Sequence, residues 1–93
     1  MNEYQNKLLT WTEFFENFRC HQSEFIKSLT NSYPILTMME FKLCCLLRAG
    51  FTTSEISELT NRTVRSVETA KYRLRKKITL EKFQDLGLFL MNF

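Results

Sequence analysis

Three residues in this chain of 93, Pro34, Gly50 and Gly87, are its only glycines and proline. So few backbone breakers argue for helices joined by short turns, and against strands separated by Gly- and Pro-rich loops. The length suits a single folded unit with a modest core. With 44% hydrophobic and 14% aromatic residues, the chain has enough apolar side chains to fill one. No repeat or low-complexity tract interrupts it. The fold expected is all-α, a compact bundle of about five to six helices.

The apolar residues recur at helical spacing. Trp11, Phe14, Phe15 and Phe18 give residues 10–19 an aromatic face, and Phe25 and Leu29, with Ile26 alongside, continue it through residues 22–30. Pro34 then forces a break, because a proline disfavours helical geometry in the residue before it. Residues 1–35 are therefore read as an aromatic helical extension packed on the core, and residues 36–93 as the principal unit. Thr37 and Glu40 fit a capping box with Leu36 and Phe41 as its hydrophobic staple, and the apolar run 41–47 follows as a central helix. Gly50 ends that helix in a left-handed cap. Thr52 and Glu55 repeat the box, with Phe51 and Ile56 as staple, and open a short helix carrying Ile56 and Leu59 inward. Residues 60–63 read as a tight turn with Thr63 capping the next helix, where Val67, Ala70, Leu74 and Ile78 form a buried stripe. In a last segment, 83–91, Phe83, Leu86 and Leu90 share one side, while Phe89 and Phe93 look exposed.

Several classes of function are disfavoured. Residues 1–7 are polar with an early acid, Glu3, so no targeting signal is read there. No run approaches the roughly 18 apolar residues of a membrane helix. Cys20, Cys44 and Cys45 lack zinc-ligand spacing and read as small core residues of a protein in a reducing cytoplasm. The single histidine, His21, adjoins Cys20, but neighbours on a helix face different directions and make no nucleophile–base pair; it reads as a helix-boundary residue. Gly50 and Gly87 stand alone and form no phosphate loop. Neither a catalytic site, a metal site, a cofactor nor a small-molecule ligand is expected.

Charge gives the positive indication. The formal net charge is +3, but residues 62–82 hold eight bases against two acids, a net of +6, which leaves the rest of the chain at −3. A basic segment on an otherwise acidic chain suits a polyanion, although a solvated helix face would show the same composition. Two short-linked helices with a basic second one outline a helix-turn-helix over residues 52–78.

Taken together, Leu36-Thr37, Glu40, Leu43, Leu47, Gly50, Thr52, Glu55-Ile56, Leu59, Ser66-Val67, Leu74 and Lys77-Ile78 resemble the LuxR/GerE-type helix-turn-helix of bacterial regulators, within the winged-helix-like superfamily. The resemblance covers residues 36–78, and 83–91 fall where that family has its fourth helix. Residues 65–68 and 71–77, with the upstream aromatic pattern, are similar to the C-terminal output domains of Bacteroidetes transcriptional regulators. Ser57 stands where the family usually has alanine, and Ala70 where histidine is common. Serine is small enough for the helix crossing, and its hydroxyl can bond a backbone carbonyl.

The resemblance implies sequence-specific binding of double-stranded DNA, by a transcription regulator or the output domain of one. The recognition helix, about 64–78, would lie in the major groove. Its base-edge candidates are Arg65, Glu68, Thr69, Tyr72 and Arg73. Phosphate candidates are Thr52, Thr53, Arg62, Thr63, Ser66, Lys76 and Lys77. Glu68 would either accept from a cytosine or align a neighbouring base such as Lys71 or Arg65. The family's fourth helix commonly dimerises, which makes Phe83, Leu86, Leu90 and Phe93 a candidate homodimer surface; the alternative is that they cover the aromatic helices within one monomer. The competing function is a protein-interaction module on the same fold, related to sigma region four, using its basic helix to hold RNA polymerase or another regulator.

Overall fold

In the computed structural model, which describes residues 10–79 and 84–93, all the regular structure is helical. The elements are α1 (Trp11–His21), α2 (Ser23–Ser32), α3 (Met38–Arg48), α4 (Thr53–Thr60), α5 (Val64–Lys77) and α6 (Leu86–Met91). No described helix is long and apolar enough to cross a membrane.

Local chemistry sets most of the boundaries. Thr37 and Thr52 cap α3 and α4 in complete capping boxes with Glu40 and Glu55. Thr10 and Glu13 make a third box at the start of α1. Thr63 caps α5 by accepting from the Ser66 N–H, and Asp85 caps α6 by accepting from the Leu88 N–H. Each such cap is worth about 1 kcal/mol. Gly50 takes φ +91° beyond the end of α3, a conformation open to glycine and strained for most other residues.

The core is built around α3. Leu43, Cys44, Cys45, Leu46 and Leu47 are consecutive and all buried, so this helix is enclosed on nearly every side. The α1–α2 pair contributes Phe14, Phe18, Phe25 and Leu29, the α4–α5 pair Ile56, Val67 and Leu74, and α6 Leu86 and Leu90. Phe14 stacks on Phe18 and meets Phe51 edge-on, both at 5.3 Å between centroids. Arg48 ties three helices together. From α3 it donates to the α6 carbonyls of Leu90 (2.8 Å) and Met91 (3.2 Å), while its guanidinium lies over the Phe25 ring of α2.

Several expectations require correction. Leu86 and Leu90 are buried within the monomer, so they cannot form a dimer surface. Phe93 is half-buried, with its ring 5.9 Å from Phe25 and 6.0 Å from Tyr33, and it belongs to the intramolecular aromatic cluster. Phe89 is likewise half-buried; Leu88 and Met91 are the exposed apolar residues of α6. Phe83 lies outside the described residues. Cys44 and Cys45 are core thiols, as their setting suggested, but Cys20 is exposed on α1. Burial, with the Glu40 charge adding to it, pushes the Cys44 thiol up to about 12, so it stays a neutral core group. Ala70 is half-buried rather than enclosed.

Candidate nucleic-acid interface

The turn between α4 and α5 fixes how the basic helix is presented. Asn61 sits at φ 54°, ψ 44°, in the left-handed region that asparagine tolerates better than most residues. Its N–H donates to the Glu58 carbonyl and that of Arg62 to the Ser57 carbonyl. The Ser57 hydroxyl then donates to the Arg62 carbonyl at 2.5 Å. Ser57 thereby stitches the turn shut, its hydroxyl bonded to a backbone carbonyl as its sequence position suggested. Behind it, Val67, Leu74 and Ile78 of α5 are buried in the core.

At about 100° per residue, the rest of α5 divides into three strips. Arg65, Thr69, Tyr72 and Lys76 lie opposite the buried stripe, and all four are exposed. On one flank are Glu68, Lys71 and Arg75; on the other are Ser66, Arg73 and Lys77. Each flank borders an open groove. That beside Glu68 and Lys71, of about 580 Å³, runs to Asp85 and Leu86 at the start of α6. The other, of about 640 Å³, lies between α5 and the start of α3, lined by Ser66, Arg73 and Lys76 with Thr37 and Met39 opposite.

The bases on these strips differ in what already holds them. Lys71 pairs with Glu68 (3.6 Å) and donates to the Thr53 hydroxyl (3.2 Å), which itself donates to Glu68 (3.2 Å). Arg75 donates to the Gln84 carbonyl at 2.6 Å. Lys77 donates to buried Glu40 at 2.7 Å and to the Ile35 carbonyl at 3.3 Å. Burial alone pushes the Glu40 carboxyl up; the hydrogen bonds from Lys77 and the Thr37 N–H, with the lysine's charge, outweigh it and leave the group below the usual carboxylate range. By contrast, the side chains of Arg62, Arg65 and Arg73 have no hydrogen-bond or ion-pair partner among the described residues. Lys76 lies over the Tyr72 ring, 4.7 Å from its centroid.

This sorting changes the residue assignments made from sequence. Arg65, Thr69 and Tyr72 come together on the outward strip, while Arg73 turns toward α3. The Thr69 hydroxyl is occupied by the Arg65 carbonyl (3.0 Å). Glu68 is held by Thr53 and Lys71, and no arginine lies within its ion-pair distance among the described residues. Thr63 is an exposed helix cap in the turn, Thr52 is an exposed cap at the far end of α4, and Ser66 is half-buried. Lys77 is committed to Glu40 and is not free for a phosphate. Sequence reading passed over Val64, the first residue of α5, over Met38, the first of α3, and over Ile35 in the turn before it, which are exposed at 47%, 67% and 64%. The signal for Val64 and Met38 was present: each directly follows a cap residue, where the first helical side chain has no preceding turn to pack on. No group of histidine, cysteine or carboxylate side chains among the described residues could hold a metal ion. No protein-family model, curated protein or solved structure matches the chain.

Proposed function

We propose that this chain binds double-stranded DNA through a helix-turn-helix formed by α4 and α5, as a transcription regulator or the output domain of one. In this reading it is a regulator module of the LuxR/GerE type with α5 in the major groove. One observation carries the proposal: on a single helix, Lys71, Arg75 and Lys77 are tied into the protein, while Arg62 just before it and Arg65 and Arg73 on it are left without partners. The bases tied in meet α3, α4 and the residue before Asp85, and the untied ones leave unbalanced positive charge at the surface. Unpaired arginines beside a stitched turn suit a ligand that brings its own negative charge.

The roles follow from placement. Arg65, at the N-terminal end of the outward strip, can donate twice to a guanine edge. Thr69, its hydroxyl occupied, offers a methyl to thymine, and Tyr72 reaches a base edge or a phosphate. Arg62, Thr63 and Lys76 meet phosphates and supply salt-dependent affinity. Glu68 is left out of base reading; with Thr53 and Lys71 it braces α5 against the start of α4.

The test is fluorescence anisotropy of labelled mixed-sequence duplexes titrated with the protein at several salt concentrations. Binding should weaken steeply with salt, and Arg65→Ala/Lys76→Ala should lower the log–log slope by about 1–2. Folded protein that binds no duplex at low salt would overturn the proposal, and tighter binding to RNA polymerase or another acidic protein would replace it with the interaction-module reading.

A further inference from the structure

We infer that the groove between α5 and the start of α3 seats one DNA backbone, with Arg73 as a phosphate ligand rather than a base reader and Met38 at the rim of the contact. This rests on the DNA-binding reading and specifies how the duplex is gripped.

The major groove is about 12 Å wide, close to the diameter of an α-helix with its side chains, so a helix lying in it has a phosphate backbone on each side. The two flanks of α5 are unequally prepared for those backbones. On the α4 side, the Lys71 charge is already balanced by Glu68, and Arg75 is occupied by the Gln84 carbonyl. The Arg75 charge is offset by Asp85 across the same groove, so the charges of the described residues on this flank cancel. On the α3 side, the groove of about 640 Å³ holds Arg62, Arg73 and Lys76 with the Ser66 and Thr69 side chains between them. The single carboxylate among the described residues of this groove, Glu40, is neutralised by Lys77 at 2.7 Å. Its net charge is therefore +3, unpaired, beside the strip that would face the bases.

Arg73 decides between the alternatives. It lies three residues before Lys76 and on the opposite side of the outward strip from Tyr72. To reach a base edge it would have to leave the groove it lines and cross over Thr69. To reach a phosphate at the groove wall it need not move from that flank. Met38 extends the surface to α3, whose run 41–47 the sequence pattern placed at the centre of the fold. At 67% exposed and first in α3, it stands next to Thr37 and Met39, which line the groove from the other side.

The same anisotropy titration, run over a panel of duplexes with the full chain, separates this claim from the one it rests on. Arg73→Ala should weaken every duplex by a similar factor and reduce the salt slope by about 1, the signature of one lost phosphate contact. Met38→Glu should weaken binding about eightfold near 0.1 M salt, the size of one such contact. Leu88→Glu, equally exposed but on α6, should bind as the parent does. Circular dichroism confirms that each variant is folded. If the parent binds DNA but Arg73→Ala shifts the ranking of duplexes with an unchanged slope, Arg73 reads bases and the inference falls alone. Parent-like binding by Met38→Glu excludes the α3 rim. A folded parent that binds no duplex removes both proposals together.

Discussion

The two turns that bracket α4 share one set of backbone hydrogen bonds. Entering the helix, the Gly50 N–H donates to the Leu47 carbonyl and the Phe51 N–H to the Leu46 carbonyl, both at 3.0 Å. Leaving it, the Asn61 N–H donates to Glu58 (3.3 Å) and the Arg62 N–H to Ser57 (3.0 Å). Both are Schellman turns with one left-handed residue. They differ in the side chain that follows. In the usual motif that residue is apolar and buried; Phe51 is, packed edge-on against Phe14 of α1. Arg62 is not: it is exposed and, among the described residues, unpaired. The first turn is anchored by a ring in the core, the second by the Ser57 hydroxyl on the Arg62 carbonyl. Closing the second turn from the backbone side leaves its arginine free for a ligand.

The largest effect should come from removing the ring. Phe51→Ala should cost about 3 kcal/mol, from lost burial and an unfilled cavity beside Phe14. In a domain of this size that is a large part of the total stability. Denaturant unfolding followed by circular dichroism measures it, with Phe51→Leu as a milder variant if the alanine form fails to fold. A loss below about 1 kcal/mol would mean that the backbone turn holds without its anchor and that the two turns are equivalent.

The left-handed residues form a graded series that sharpens the comparison. Gly50 at φ 91° lies outside the usual left-handed well, Asn61 at 54° lies inside it, and Thr79 at 55°, just past α5, is there despite its branched Cβ. Gly50→Asn should destabilise by about 1 kcal/mol although the space around it is empty, because the cost is conformational. Thr79→Gly should stabilise by up to about 1 kcal/mol, reduced by the greater freedom of glycine in the unfolded chain. Asn61→Gly should change stability by only a few tenths of a kcal/mol in either direction. Unfolding midpoints that ranked these three in another order would show that the turns are held by something other than their backbone angles.

What was legible in the sequence, and what was not, divides by distance along the chain. The caps at Thr37, Thr52 and Thr63 and the glycine stop at Gly50 are interactions within a few residues, and pattern alone located them. Thr10 and Glu13 form an equally local box that the pattern did not single out. The outward residues Arg65, Thr69, Tyr72 and Lys76 followed from helical period once the buried stripe was recognised, but Glu68 and Arg73, grouped with them, stand on the two flanks. The partners of the remaining bases did not, because Lys77 meets Glu40 from 37 positions away and Arg48 reaches Leu90 from 42. Period says which way a side chain leaves its own helix and nothing about what another helix brings to meet it. For α6, six residues make fewer than two turns, too few for period to separate Leu88 and Met91 from Phe89. Phe93 finds Phe25 and Tyr33 from beyond the helix end, where no periodicity applies.

The smallest effect on stability should come from the residue that most distinguishes the second turn. Arg62→Ala removes an exposed side chain with no partner among the described residues, and it leaves untouched both the Arg62 carbonyl that Ser57 donates to and the N–H that bonds Ser57. Its unfolding midpoint should match the parent's to within about 0.5 kcal/mol. In DNA titrations the same variant should lose about one unit of salt slope. The combination is informative because neither half implies the other. A side chain that propped the turn would lower the unfolding midpoint, and a merely solvated one would change neither quantity. Ser57→Ala is the complement: it should cost stability, on the order of 1 kcal/mol, by leaving the Arg62 carbonyl without its side-chain donor. If Arg62→Ala proved the more destabilising of the two, the second turn would depend on its side chain as the first depends on Phe51, and the contrast between them would fail.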